Sequence, residues 1–194
     1  FETFEEENLK IKPQNKDIYF LKNKIGLDKR HKLSKSLIFK LFLEMGSNKS
    51  INGLDTKTMA FLKKNINLID DNFRKNKKYA NQFLEILRSK HNLSSILNIL
   101  KKTGILQKYI PEFEDVIGQM QFDLFHVYTV DEHTFKVVKS MREMKTLEQQ
   151  EYKLENELIN KLPKIEILYI AGLFHDLGKG KKGDHSEIGA KTSH

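Results

Sequence analysis

Residues that interrupt helices are scarce in this chain, which has three prolines and ten glycines among 194 residues. Over most of the sequence, apolar residues recur every three or four positions, the period of a buried helix face. The clearest early example is the set Leu37, Ile38, Leu41 and Phe42. Residues 1–30 lack this period and could hold a short strand or two around a turn at Pro13. We therefore predict an all-α fold class.

Several residue types mark where individual helices begin and end. Asp55 is a suitable N-cap for the helix that follows it, and Gly104 is expected to stop the helix before it. Thr129 and Glu132 have the three-residue spacing of a capping box, which predicts a helix beginning at Thr129. A last helix is predicted to begin near Asp184.

Composition limits the classes of function that the chain can have. It contains no cysteine, so it can form neither a disulfide framework nor a thiolate metal site. It has no apolar stretch of the roughly 18 to 20 residues that a membrane span needs. The net charge is +8, but the lysines are scattered and are not interleaved with aromatic residues, so nucleic-acid binding is disfavoured. We expect a piece of a longer globular protein, because the chain starts with Phe and ends in what reads as the start of a helix.

The stretch "LFHDLGKGKKGDHSEIGA" is the most informative about chemistry, since it holds two of the seven histidines. His175 and Asp176 end a helix opened by Pro163 that is apolar on nearly all sides, so we predict it to be buried. An imidazole and a carboxylate are usual ligands for Mn, Fe, Co or Zn, whereas Mg prefers oxygen ligands. His133, from another helix start, and His185, from the glycine-rich turn, could complete a metal site.

The same residues also allow a purely structural interpretation. A histidine at a buried helix end often only caps the helix, donating its proton to a carbonyl group. Lys179 could likewise be a solvated lysine in a turn. Spacing alone does not decide between a cap and a metal ligand at His175.

Longer motifs add a resemblance to a known family. "EHTFKVV", "LFHDLGKG" and "DHSEIGA" resemble the His and His-Asp signature of the HD phosphohydrolase superfamily. Residues 110–134 and 171–190 resemble, more narrowly, the bifunctional uridylyltransferase/uridylyl-removing enzymes of bacterial nitrogen signalling. The helices between about residues 30 and 108 fit that family's connecting region in outline. The resemblance implies a helical linker over residues 1–108, followed by a truncated HD-domain helical bundle over residues 109–194.

The resemblance also implies a function. Enzymes of this family attach UMP to a tyrosine of the signalling protein PII with a nucleotidyltransferase domain, and hydrolyse it off with the HD domain. Two ACT domains sense glutamine. This chain has neither the Gly-Ser and Asp-x-Asp pattern of the transferase domain nor an ACT repeat. The implied activity is metal-dependent phosphodiester hydrolysis that removes UMP from uridylylated PII, in a cytoplasmic protein without a membrane partner.

Site residues are carried over from the family by position. His133, His175 and Asp176 are the implied metal ligands, with His185 as a further ligand or a group that touches the phosphate. Lys179 is implied to pair with Asp176 or with phosphate oxygens. Asp176, His185 and Lys179 therefore form the expected catalytic set.

The implied cofactor is a divalent metal ion, with Mg or Mn as the first expectation and Fe, Co or Zn as alternatives. The superfamily closes its site with a later aspartate that has no counterpart in this chain. His126 either lines the substrate pocket or packs against its aromatic neighbours.

Three other functions stay open at this stage. The chain could belong to an HD phosphohydrolase that acts on a free nucleotide or an RNA end. It could instead be a non-catalytic helical interaction module with a degenerate site. The third alternative is a basic nucleic-acid binder, whose affinity for RNA would fall steeply with salt.

Overall fold

The structure of the protein is a computed structural model. Helices dominate it and confirm the predicted all-α class. The parts of the chain that it describes are residues 16–28, 33–120, 128–146 and 152–180. The predicted helix near Asp184 lies outside these described residues. Within them, every helix is too short or too polar to cross a bilayer. The chain divides into two compact units, Phe1–Tyr109 and Ile110–His194.

The described part of the first unit contains a small sheet and six helices. In chain order these are β1 (Ile18–Leu21), β2 (Lys24–Leu27), α1 (Lys35–Ser47), β3 (Gly53–Leu54), α2 (Thr56–Lys64), α3 (Asp71–Arg74), α4 (Lys77–Leu87), α5 (Leu93–Thr103) and α6 (Ile105–Tyr109). Strand β2 lies in the middle of the sheet, antiparallel to β1 and parallel to β3. The sequence allowed one or two strands here; β3, at two residues, is too short to carry a strand period.

The core of the first unit contains an aromatic cluster among many buried aliphatic side chains. The Phe39 side chain, on α1, is fully buried, and its ring centroid lies 5.2 Å from that of Phe73 and 5.0 Å from that of Tyr109. Both pairs meet edge to face, a geometry that stabilises aromatic contacts beyond the area they bury. The four apolar residues that predicted α1 are all buried as well, so the helical period identified the core-facing side correctly.

Two predicted helix boundaries in this unit are confirmed. The Asp55 carboxylate accepts a hydrogen bond from the backbone N–H of Thr58 at 2.9 Å and so caps α2. Gly104 follows the last residue of α5 with a φ of +81°, in the left-handed region where a residue with a Cβ is strained.

The second unit is built on three helices. Among its described residues these are α7 (Val130–Thr146), α8 (Lys153–Lys161) and α9 (Ile165–Phe174). Short 3-10 turns cover Pro111–Phe113 and Leu177–Gly180. Helix α7 packs against both α8 and α9, with Val130, Phe135 and Val138 buried. It begins one residue after Thr129, where the capping-box spacing placed its start.

The helix after Pro163, predicted to be buried because it is apolar on nearly all sides, is buried over only part of its surface. On α9, Tyr169 and Leu173 are buried, but 58% of Ile167 is exposed. The helix packs on α7 through one face, so apolar residues on its other side remain accessible. High average hydrophobicity therefore did not identify the buried face, which requires knowing the neighbouring helix.

Candidate metal centre

Two helix ends carry the side chains of the candidate site. His133 is the fourth residue of α7, and its backbone N–H donates to the Thr129 carbonyl at 2.9 Å, within the first helical turn. His175 and Asp176 follow the last residue of α9, where the His175 N–H still donates to the Ala171 carbonyl at 3.0 Å. Because α7 and α9 pack together, the start of one helix and the end of the other lie close to each other.

The three side chains converge on one point. His133, His175 and Asp176 each offer a ligand atom, and these atoms all lie within 4.8 Å of one another. The Asp176 Oδ2 atom lies 3.3 Å from Nε2 of His175 and 3.7 Å from Nε2 of His133. The two imidazole ring centroids are 5.4 Å apart. Residues 42 positions apart in the chain thus form one cluster of two nitrogens and an oxygen.

The orientation of the His175 ring favours an open Nε2 atom. Its Nδ1 lies 2.8 Å from the Gly172 carbonyl oxygen, which can only accept a hydrogen bond, so Nδ1 carries a proton. In a neutral ring, Nε2 then carries a lone pair that points toward the Asp176 carboxylate. Metal-binding histidines commonly have this arrangement, with the second nitrogen bound to a carbonyl or carboxylate. The capping contact that the sequence allowed is therefore present at His175, and a role as a metal ligand stays a prediction.

The Asp176 carboxylate lies among two imidazole nitrogens and one ammonium group. A carboxylate oxygen that faces imidazole lone pairs is repelled by them unless a cation or a ring proton lies among these atoms. The side chain of Asp176 is only 9% exposed, so water screens charges in the cluster weakly. The Lys179 ammonium supplies one positive charge, 2.9 Å from Asp176 Oδ2. The two nitrogens and the oxygen also form a donor set that suits a divalent transition metal, so the residues fit such an ion.

The predicted site residues have different outcomes in the structure. His133, His175 and Asp176 are brought together, and Lys179 takes the first of the two roles expected of it by pairing with Asp176. His126 and His185 lie outside the described residues. Metal binding and catalysis by these residues stay predictions.

Two polar residues near the cluster were not identified from the sequence. Asp131, in the first turn of α7, is 1% exposed and accepts a hydrogen bond from Gly118 N–H at 2.9 Å. Gln119 donates from its side chain to the Lys179 carbonyl at 3.2 Å. Asp131 could have been noticed in the sequence, because it is an acidic residue only two positions before His133. No sequence signal connects Gln119 with a carbonyl 60 residues away.

Comparison with known proteins agrees with this organisation. A family model described as the uridylyltransferase GlnD third domain matches residues 24–109, and the HD domain model matches residues 130–194. A bifunctional uridylyltransferase/uridylyl-removing enzyme from Ectopseudomonas mendocina is 43% identical over 154 residues, which cover 79% of this chain. The enzyme of that name from Azotobacter vinelandii is 42% identical over 156 residues, or 80% of the chain. Over these segments the chain resembles the third domain and the HD domain of bifunctional uridylyltransferase/uridylyl-removing enzymes.

Only part of such an enzyme is represented. The chain spans 17% of the length of the Ectopseudomonas and Azotobacter enzymes. No solved structure matches it. His133, His175 and Asp176 all fall in the segment that matches the HD domain.

Proposed function

We propose that this chain carries the uridylyl-removing site of a bifunctional uridylyltransferase/uridylyl-removing enzyme. The reaction is the metal-dependent hydrolysis of a phosphodiester, which releases UMP from a uridylylated tyrosine of the PII signalling protein. The observation that carries this proposal is the convergence of His133, His175 and Asp176 within a segment that matches the HD domain. The names of the relatives support the same activity.

In this proposal His133, His175 and Asp176 hold a divalent ion; of the two ions first expected, Mg and Mn, the two nitrogen donors favour Mn. A bound divalent ion lowers the pKa of a water molecule in its coordination sphere and so supplies a nucleophile at neutral pH. The His175 ring is held for this role by its bond to the Gly172 carbonyl, which leaves Nε2 directed at the cluster. His185, outside the described residues, remains a proposed additional ligand or phosphate contact.

Lys179 is proposed to contact the phosphoryl group of the substrate. The Lys179 side chain is 34% exposed, and its ammonium group lies beside Asp176. The ammonium group can therefore reach both the carboxylate and an incoming anion. A positive charge placed there would offset the negative charge that develops on the phosphoryl oxygens in the transition state. Pairing with Asp176 before substrate binds keeps the ammonium group in place.

The chemistry of the bond to be broken is compatible with such a site. Water adds to the phosphorus atom, the bond between phosphorus and the tyrosine oxygen breaks, and UMP leaves. The tyrosine oxygen takes up a proton to restore the phenol. A phenol has a pKa of about 10, so its anion is a tolerable leaving group without strong acid catalysis.

The test is to measure UMP release from uridylylated PII, using the protein with its complete HD domain, before and after the substitution Asp176→Ala. Loss of the shared carboxylate is expected to lower the rate by at least about 100-fold, because ligand removal weakens both metal binding and the placement of charge. Glu143→Ala is the matched control, since Glu143 is an exposed carboxylate of α7 whose side chain is 55% accessible.

The outcomes separate the alternatives. Unchanged UMP release in Asp176→Ala rules out the proposed site. If wild type does not act on uridylylated PII but hydrolyses free nucleotides or RNA ends, the chain belongs to an HD phosphohydrolase with a different substrate. Absence of any bound metal and of any hydrolysis points to a non-catalytic helical module.

A further inference from the structure

We propose that Gln119 is a positioning residue for the candidate metal centre, because it ties together the two chain segments that carry the ligands. The inference rests on the proposed function, since it assigns a role in holding that same site. It concerns the strap, defined as residues 118–120, which runs between the start of α7 and the 3-10 turn Leu177–Gly180.

One end of this connection is a side-chain hydrogen bond. The Gln119 Nε2 atom donates to the backbone carbonyl of Lys179 at 3.2 Å, across 60 residues of sequence. Lys179 belongs to the turn directly after Asp176, and its own N–H donates to the Asp176 carbonyl at 3.0 Å. Its ammonium group also contacts the Asp176 carboxylate at 2.9 Å. A bond that holds the backbone of Lys179 therefore also restrains Asp176.

The other end is formed by the backbone of the strap. The Val130 N–H donates to the Gln119 carbonyl at 3.0 Å, at the first residue of α7. Met120 and Thr129 form an antiparallel bridge beside it. His133 follows within the same helical turn, so the strap is attached directly to the segment that carries one imidazole.

A buried carboxylate anchors the strap at its start. Asp131 accepts a hydrogen bond from the Gly118 N–H at 2.9 Å, and Asp131 is 1% exposed. Because Asp131 is shielded from water, solvent competes little for this hydrogen bond. Gly118 has a φ of +72°, a conformation that glycine adopts without strain.

The two ends together explain why Gln119 matters for the site. His133 depends on the start of α7, and Asp176 depends on the turn that contains Lys179. The ligand atoms of these two residues are 3.7 Å apart, and a displacement of about 1 Å would alter their geometry as a shared site. The Gln119 side chain forms a hydrogen bond that joins the strap to that turn.

The first unit provides a matched control residue. Gln107 also donates from Nε2 to a backbone carbonyl, that of Lys101, at 3.1 Å. Gln119 and Gln107 are both half-buried, and the Oε1 atom of each is buried. Replacing either by methionine removes the donor and keeps the approximate side-chain length, so a general effect of losing such a bond should be the same at both positions.

The experiment measures the affinity for Mn²⁺ by isothermal titration calorimetry in wild type, Gln119→Met, Gln119→Glu and Gln107→Met, with the thermal midpoint recorded for each. Both substitutions at Gln119 are expected to weaken Mn²⁺ binding by about 10- to 100-fold, as is typical when an outer-shell hydrogen bond that orients a ligand is lost. Glutamate keeps the shape of glutamine but, when ionised, cannot donate to the Lys179 carbonyl. Gln107→Met should bind Mn²⁺ like wild type.

The possible results are distinguishable. If both Gln119 variants bind Mn²⁺ within twofold of wild type, Gln119 is not a positioning residue, whatever happens to the thermal midpoint. An equal loss of affinity in Gln107→Met would overturn the inference as well, because the effect would then be general. If wild type itself does not bind Mn²⁺, the proposed metal-dependent function fails, and the inference fails with it.

Discussion

Both compact units bury carboxylates, and Asp55 in the first unit and Asp176 in the second face different atoms. In the first unit, Asp55 accepts hydrogen bonds from the backbone and hydroxyl of Thr58 and from the Tyr19 hydroxyl. In the second unit, Oδ2 of Asp176 faces two imidazole nitrogens and an ammonium group. A buried carboxylate whose oxygens accept hydrogen bonds from backbone N–H and hydroxyl groups, as in Asp55, stabilises the fold. One that faces histidine nitrogens is the better candidate for binding a cation.

The environment of Asp55 has a measurable electrostatic consequence. Burial disfavours the charged form of its carboxylate, but the hydrogen bonds from Thr58 and Tyr19 favour it more strongly, so the pKa of Asp55 is lowered. Burial and, to a smaller extent, the hydrogen bond to Asp55 raise the pKa of the Tyr19 hydroxyl. Asp55 and Tyr19 are thus held in the charged and the neutral form, respectively, as partners in one network.

The largest expected effect tests whether the aromatic core stabilises the first unit. Phe39→Ala should lower the free energy of unfolding of that unit by about 3 to 5 kcal/mol, because it leaves a cavity among three aromatic rings. Hydrogen–deuterium exchange of α1 peptides measures this effect within the unit. Leu21→Ala, at a side chain that is 57% exposed, should change the exchange little, and an equal effect of both variants would contradict the importance of the core.

An intermediate effect is expected when metal is added to the second unit. Mn²⁺ at about 100 times its dissociation constant should stabilise that unit by about 2.7 kcal/mol, because the ion binds only the folded form. Slower hydrogen exchange in α7 and α9 would report it. The gain should disappear in Asp176→Ala and persist in Asp55→Asn. Retention of the gain in Asp176→Ala would mean that Mn²⁺ binds elsewhere.

The smallest effect is the pH dependence of the Asp55 contribution. A carboxyl group whose folded-state pKa is lowered stabilises the protein fully above its unfolded pKa of about 4, and this contribution is lost as the pH falls through the folded-state pKa. Asp55→Asn should therefore cost about 1 to 2 kcal/mol at pH 7 and progressively less below about pH 4. Urea unfolding of both proteins at several pH values measures the difference. A cost that does not change with pH would show that the charge of Asp55 is unimportant.

Local signals in the sequence were reliable for helices and their ends. The apolar period of α1, the cap at Asp55 and the glycine after α5 each act through neighbouring residues, so they could be identified without knowing the fold. The exposure of Ile167 on α9 could not, because it depends on which helix packs against which face. The two-residue strand β3 was missed for the same reason, since it exists only through pairing with β2.

The same distinction between local sequence signals and tertiary packing applies to the candidate site. The sequence by itself determined that His175 and Asp176 follow an apolar helix and that His133 lies near the start of another, because helix ends are set by local chemistry. Only the packing of α7 on α9 decided that their ligand atoms lie within 4.8 Å of one another. The bond from Gln119 to the Lys179 carbonyl is also a product of tertiary structure, since a glutamine side chain has no sequence-encoded preference for a carbonyl 60 residues away.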